Sequence, residues 1–277
     1  MAHLMGSPIP LLLYHSVSSD PPTWAVPWTV APERFRDHMN ELVDTGSTPL
    51  TISALVDLIT DKKPLPARVV GVTFDDGFAD FRTTAAPIMA ERMIAHTLYV
   101  TTGALVPRTG REDLRLPAAS MLQWSQLAEL EAMGTELGGH SHSHPELDTL
   151  ATAHAWDEVV RPKKLLEEWL GHPVRSFAYP HGYSSPRLRR LVVDAGYQSA
   201  CAVRDSFSSP DDNLFSLARI IVRPDSTRED IRSWMQGVGA ANKGSDEWHR
   251  TRLWRWFRQA RSLVSHPLLP GSHQREE

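Results

Sequence analysis

Two kinds of apolar pattern alternate along the chain. Short, nearly continuous runs occur in IPLLLYHSV (9–17), VVGVTF (69–74), HTLYVTT (96–102), ELGGH (136–140), RSFAYP (175–180), QSACAV (198–203) and LARIIV (217–222). Runs of this length and composition predict strands, most of them buried on both faces as in a parallel sheet. Between them lie segments with helical spacing of apolar residues: PERFRDHMNELVDTG (32–46), ISALVDLIT (52–60), FRTTAAPIMAERM (81–93), WSQLAELEAMG (124–134), AHAWDEVVRPKKLLEEWLG (153–171) and SPRLRRLVVDAGY (185–197). These predict helices, with Pro32 near one start and Gly46 and Gly134 closing two ends. Pro87 and Pro162 fall inside helical segments and predict interruptions there.

Such regular alternation predicts an α/β fold with a parallel sheet covered by helices, either a closed barrel or an open doubly wound sheet. Both architectures place function at the C-terminal ends of strands. No G-x-G-x-x-G or G-x-x-x-x-G-K-[ST] follows a strand, so dinucleotide and P-loop chemistry have no support. The chain has 277 residues, 41% of them hydrophobic and 22% charged, which excludes disorder and membrane spans as its main character. A formal net charge of −4 gives no overall basic footprint, so nucleic acid is not an expected partner. The single cysteine, Cys201, excludes an intramolecular disulfide and a multi-cysteine zinc site, and reads as a small buried hydrophobe. MAHLMGSPIPLLLYHSV lacks a cationic leader, and its apolar run is short for an export signal, so a cytoplasmic location is expected.

Candidate chemistry sits where three strands end. VVGVTF runs into Asp75, Asp76 and Gly77. Asp-Asp-Gly is good turn chemistry, but two carboxylates this close also call for a compensating cation or donor. Thirteen histidines are present, and GGHSHSHPEL holds His140, His142 and His144. If that piece is helical, His140 and His144 share a face; if extended, all three do, and Pro145 disfavours helix at His144. An H-x-x-x-H pair with one carboxylate matches the mixed nitrogen and oxygen shell of a catalytic zinc-type ion, and a surface histidine cluster is the alternative. In FAYPHGYSSP the strand breaks at Pro180 and Gly182, producing a turn that can offer a backbone N–H to an oxyanion or simply lead into the next helix.

Together, VTFDDGF, GGHSHSHPEL and FAYPHG resemble, in order and spacing, the motifs of the polysaccharide deacetylase family, the carbohydrate esterases with a NodB-like domain. The resemblance implies a distorted (β/α) barrel over residues 1–240. It implies one divalent ion, zinc first and cobalt, nickel or manganese as alternatives, held by Asp76, His140 and His144. It makes Asp75 the general base, leaves His142 outside the ligand set with the option of lining the groove, and puts Tyr179, Pro180, His181 and Gly182 at the substrate and oxyanion turn. Two departures stand out. Ala178-Tyr179-Pro180-His181-Gly182 lacks the arginine of the family's Arg-Pro-Pro-Tyr-Gly, and Leu217-Ala218-Arg219 occupies the place of the C-terminal Leu-x-His. Leu13-Tyr14-His15 is itself a Leu-x-His at the front of the chain, similar to the permuted poly-N-acetylglucosamine deacetylase branch. His15 thereby becomes the expected general acid and Arg219 the candidate for the orienting arginine.

The implied reaction is metal-dependent hydrolysis of N-acetyl groups on an N-acetylated sugar, polysaccharide or glycoconjugate. An O-acetyl esterase, a deformylase of a lipid-linked sugar, and a non-catalytic sugar-binding module are the alternatives. Trp24 and Trp28 in PPTWAVPWT suit sugar stacking or the cover of a core edge. Residues 241–277 read as a basic aromatic helix and tail, in which EWHRTRLWRWFRQARSLV (247–264) packs on the barrel or lies on an anionic membrane, at the inner face in that case.

Overall fold

The computed structural model describes residues 8–107 and 114–240. The basic aromatic segment 247–264, and with it the question of membrane contact, lies outside the described residues. In chain order the elements are β1 (Leu11–Tyr14), β2 (Ser16–Val17), β3 (Thr29–Val30), α1 (Pro32–Asp44), β4 (Thr48–Leu50), α2 (Ile52–Thr60), β5 (Val69–Phe74), α3 (Ala86–Ala90), β6 (His96–Val100), α4 (Trp124–Ala132), β7 (Thr135–Gly139), α5 (Thr152–Leu170), β8 (Ser176–Ala178), α6 (Pro186–Asp194), β9 (Ser199–Cys201), β10 (Ile220–Ile221) and α7 (Arg228–Met235).

The main sheet is wholly parallel, in the order β10-β1-β5-β6-β7-β8-β9, with β4 also paired to the start of β5. A lone parallel bridge between Cys201 and Leu217 joins β9 to the chain entering β10, so the ring closes through one weak seam. That seam makes it a distorted (β/α) barrel. β1 lies between β10 and β5, so the first strand of the chain and the last are neighbours.

Side chains alternate across each strand, and the alternation divides the core in two. Leu12, Tyr14, Val70, Val72, Phe74, Leu98, Val100, Leu137, Phe177, Tyr179, Ala200 and Ile220 join the larger cluster under the helices. Leu11, Val69, Tyr99, Ala178, Cys201 and Leu217 face the other way, into a smaller cluster with Ile52, Leu55 and Val56 of α2. Burial on both faces explains why the strands read as continuous apolar runs. On β1, β5 and β10 the inward parity carries on to His15, Asp75 and Arg219.

Helix ends follow their sequence signals. Thr51 caps α2 by accepting the Ala54 N–H at 3.2 Å, and Ser185 caps α6 by accepting that of Leu188, also at 3.2 Å. The two proline expectations part ways. Pro162 sits inside an uninterrupted nineteen-residue α5, which corrects the interruption expected there, whereas Pro87 falls where the helical run changes from a π turn to α3. The single helix expected over 81–93 is a π turn, Phe81–Ala85, followed by the short α3. Among the described residues, no helix is long and apolar enough to cross a membrane.

Candidate active site

The C-terminal ends of the strands surround a cavity of about 480 Å³. His15 follows β1, Asp75 and Asp76 follow β5, His140 follows β7, and all four line it with His144, His181 and Trp28. Strand parity delivers the first three elements' inward positions, and the rest of the geometry is made by loops.

Asp75 is buried at the cavity floor and meets a guanidinium from β10's approach. Arg219, itself without exposed surface, donates from Nη1 to Asp75 Oδ1 at 2.6 Å and from Nη2 to Oδ2 at 2.7 Å. Its Nη1 also donates to Thr73 Oγ1 at 3.2 Å, and its Nε to the Ala202 carbonyl at 3.2 Å. A planar fork on a planar carboxylate fixes the orientation of Asp75. Burial pushes the Asp75 carboxyl up, but the Arg219 charge and hydrogen bonds, with His140, outweigh it and hold the group below its ordinary value. The guanidinium that meets Asp75 thus lies 144 residues downstream of it, just before β10.

Asp76, His140 and His144 form the one group of buried potential metal ligands found among the described residues, with donor atoms within 4.8 Å of one another. His140 Nδ1 lies 2.9 Å from the Ala178 carbonyl, which can only accept, so Nδ1 carries the proton and Nε2 of the neutral ring presents a lone pair. That Nε2 is 3.4 Å from Asp76 Oδ1, and His144 Nε2 is 3.1 Å from the same oxygen. Asp76 Oδ1 is buried without a hydrogen bond of its own. Lone pairs facing one another at this range require a cation between them, either a proton on an imidazole or a metal ion. Burial acts to lower the His140 imidazole, yet Asp75 and Asp76 raise it above its ordinary value. Asp76 is held well below the usual carboxylate range by His144 and His140, against the upward push of burial. Two imidazole nitrogens and one carboxylate oxygen converging in a buried pocket fit a divalent ion of the zinc type.

The histidine loop is neither helical nor extended. Ser141 (φ 61°) and His144 (φ 63°) are left-handed, which turns His140 and His144 to the cavity and His142 away. His142 is buried with Nδ1 2.9 Å from Thr102 Oγ1, so it does not line the groove. Glu158 of α5 accepts the His142 N–H at 2.9 Å and the Ser143 N–H at 2.8 Å, pinning the loop; sequence spacing carried no sign of this contact. Asp76 (φ 76°) and His181 (φ 57°) are also left-handed, so four residues around one cavity share a conformation that non-glycine residues rarely adopt.

The expectation for the 179–182 turn is corrected at three of its four residues. Tyr179 has outward parity, is fully buried, and donates its hydroxyl to the Phe215 carbonyl at 3.0 Å. Pro180 has no N–H, and that of Gly182 is taken by the Tyr179 carbonyl at 2.8 Å. His181 alone of the four lines the cavity, its ring 4.8 Å from that of His144. The oxyanion candidate within the turn therefore narrows to the His181 amide.

His15 keeps some exposed surface, and its ring centre is 5.4 Å from that of Trp28. Burial lowers its imidazole below the ordinary value against the opposing pull of Asp76 and Asp75. Trp24 also lines the cavity, with Nε1 donating to the Ala118 carbonyl at 3.1 Å.

Comparison with known proteins agrees with this architecture. YxkH of Bacillus subtilis is 27% identical over 217 residues, covering 78% of this chain and 72% of its own. The poly-beta-1,6-N-acetyl-D-glucosamine N-deacetylase of Staphylococcus aureus is 21% identical over 216 residues, covering 75% of this chain and 72% of its own. Among solved structures, the Streptococcus pyogenes deacetylase PplD superposes with a TM-score of 0.72 at 23% identity, covering 82% of this chain and 97% of that one. IcaB from Ammonifex degensii gives 0.71 at 24% identity, covering 85% and 100% respectively, and both show the shared fold. The sequence profile of the polysaccharide deacetylases matches residues 62–200, from the approach to β5 through β9. On that match, which spans Asp75, Asp76, His140 and His144, the chain belongs to the polysaccharide deacetylase family.

Proposed function

We propose that the chain is a metal-dependent hydrolase that removes N-acetyl groups from an N-acetylated sugar, polysaccharide or glycoconjugate. The observation that carries this reading is the convergence of Asp76, His140 and His144 on one point beside an Asp75 clamped by Arg219. Asp76, His140 and His144 would hold the ion, for which zinc is the first choice and cobalt, nickel or manganese are compatible. When bound, such an ion supplies Lewis acidity, strengthening water as a nucleophile near neutral pH and polarising an acyl oxygen.

The chain's own residues divide the remaining work. Asp75, kept ionised by Arg219, takes the proton of the attacking water; the clamp leaves lone pairs on its oxygens for that purpose. The His181 N–H is the donor offered to the developing oxyanion. His15 enters the cavity from β1 and gives its proton to the nitrogen as the C–N bond breaks. An amine is a poor leaving group until protonated, so this step is essential for an amide. Burial acts against His15 carrying that proton at rest, and the two carboxylates act for it. Trp24 and Trp28 offer faces for a sugar ring at the mouth.

The 178–182 turn lacks an arginine, and the Arg219–Asp75 pair supports a catalytic reading over a non-catalytic sugar-binding module. Acetate release from N-acetylglucosamine oligomers, with O-acetylated xylan alongside, tests the proposal. Release from the oligomers should stop on chelation, return on adding zinc, and be absent in Asp75→Asn. Undiminished release by metal-stripped protein, or oligomer binding without release by zinc-loaded protein, would contradict it.

A further inference from the structure

Asp80 lies four residues beyond Asp76, at the head of the π turn Phe81–Ala85, and the proposed mechanism gives it no role. Its carboxylate reaches across to the N-terminal strand region. Ser16 Oγ donates to Asp80 Oδ2 at 2.5 Å, and the Val17 N–H donates to Oδ1 at 3.3 Å. On the other side of His15, the Tyr14 carbonyl accepts the Asp75 N–H at 3.1 Å. His15 is therefore bracketed: the residue before it is tied to Asp75, and the two after it are tied to Asp80.

The tie at Asp80 matters because of the topology. β1 belongs to the main sheet, but the ladder ends at Tyr14. Among the described residues, β2, immediately past His15, pairs only with β3 in a separate two-stranded sheet. Asp80 is the side chain that connects β2 back to the segment carrying Asp75 and Asp76. We propose that Asp80 is a positioning residue for His15, holding the imidazole in register with the Asp75–Asp76 loop through Ser16 and the Val17 amide. The inference rests on the role proposed above for His15. A displacement of about 1 Å in such a group lowers a rate by roughly a hundredfold.

A positioning role through the acid has a signature that general loosening lacks. Cleaving an amide moves a proton from His15 to the departing nitrogen. Cleaving 4-nitrophenyl acetate expels an aryl oxide that is stable without one, so that substrate does not need His15. Turnover of N-acetylglucosamine oligomers and of 4-nitrophenyl acetate by zinc-loaded protein is therefore compared in four variants, with bound zinc and thermal unfolding measured on each. Asp80→Ala should lower amide turnover by ~10–100-fold, while aryl ester turnover stays within about twofold and zinc remains bound. Asp80→Asn, which keeps an acceptor for one of the two bonds, should recover part of the loss. Ser16→Ala, which keeps the carboxylate and the Val17 bond, should lose a smaller part of the amide activity, and it carries the comparison should Asp80→Ala fail to fold. His15→Asn is the reference and should show the same selectivity in stronger form. Equal losses on both substrates in the Asp80 and Ser16 variants, loss of zinc, or no loss at all would overturn the inference. Equal losses in His15→Asn would instead overturn the role of His15 itself.

Discussion

Arg219 and Asp75 show what a single pair does in this molecule. A guanidinium without exposed surface donates to both oxygens of a carboxylate that is almost equally enclosed. Breaking such a pair by removing one partner costs about 3–5 kcal/mol, because the other charge stays buried alone. Arg219→Lys keeps the charge but loses the fork. It should retain zinc, whose proposed ligands it does not touch, and lower kcat by ~10-fold or more, while Arg219→Ala should be expressed poorly or unfold at lower temperature. Activity in Arg219→Lys equal to that of the unaltered chain would mean that Asp75 needs no orientation. Sequence alone marked Asp75, Asp76, His140 and His144 because they occupy short motifs with fixed spacing. Arg219 was legible only as a candidate, since its link to Asp75 is a barrel contact that no local pattern encodes. His15 stood out because Leu-x-His at the end of an apolar run is local. Tyr179 misled for a related reason: its motif placed it at the turn, but strand parity turns its ring outward.

At the scale of elements, the turn after β8 depends on Gly182. Its φ is +74°, and an added Cβ would lie 2.3 Å from Val203 Cβ and 2.5 Å from the Val203 backbone nitrogen. Backbone cannot withdraw as a flexible side chain would, so Gly182→Ala should destabilise the fold by about 2 kcal/mol or more, read in urea unfolding. An unchanged midpoint would show that the turn has freedom the packing does not suggest. The six-residue β5 and five-residue β6 were legible as continuous apolar runs, and α1, α2, α4, α5 and α6 as periodic ones. β2, β3 and β4, with two or three residues each, were not separable as elements, because β2 lies within the run 9–17 and β3 and β4 have no apolar run of their own. Helix α7 was missed although Thr227 and Asp230 form a reciprocal cap at its start, since its eight residues contribute just Ile231 and Trp234 to the core. The π turn at 81–85 was hidden because its apolar spacing is close to that of an α-helix.

Across the whole molecule, α7 is fastened to α1 by Glu41, which is 1% exposed. Glu41 accepts from Arg232 Nε at 2.7 Å and from Arg228, whose guanidinium also reaches Asp44. The Arg232 hydrogen bond, with Arg228, holds the Glu41 carboxyl below its ordinary value although burial pushes it up. A depressed folded-state value means that the contribution is complete above the unfolded carboxylate range, near pH ~4.3, and is lost as pH falls through the lower folded value. Glu41→Gln should therefore be less stable than the unaltered chain at neutral pH, and the difference should shrink as the solution is acidified below that range. A difference that is constant from pH 7 to pH 3 would show that the pair contributes through shape rather than charge.

All scales meet in the claim that Asp76, His140 and His144 share one divalent ion. Isothermal titration of zinc into metal-stripped protein, repeated on Asp76→Ala, His140→Ala and His144→Ala, tests it without recourse to catalysis. One tight site per chain, lost or weakened at least ~100-fold in each variant, is the predicted result. No tight site in the unaltered chain, or full affinity in all three variants, would contradict the account.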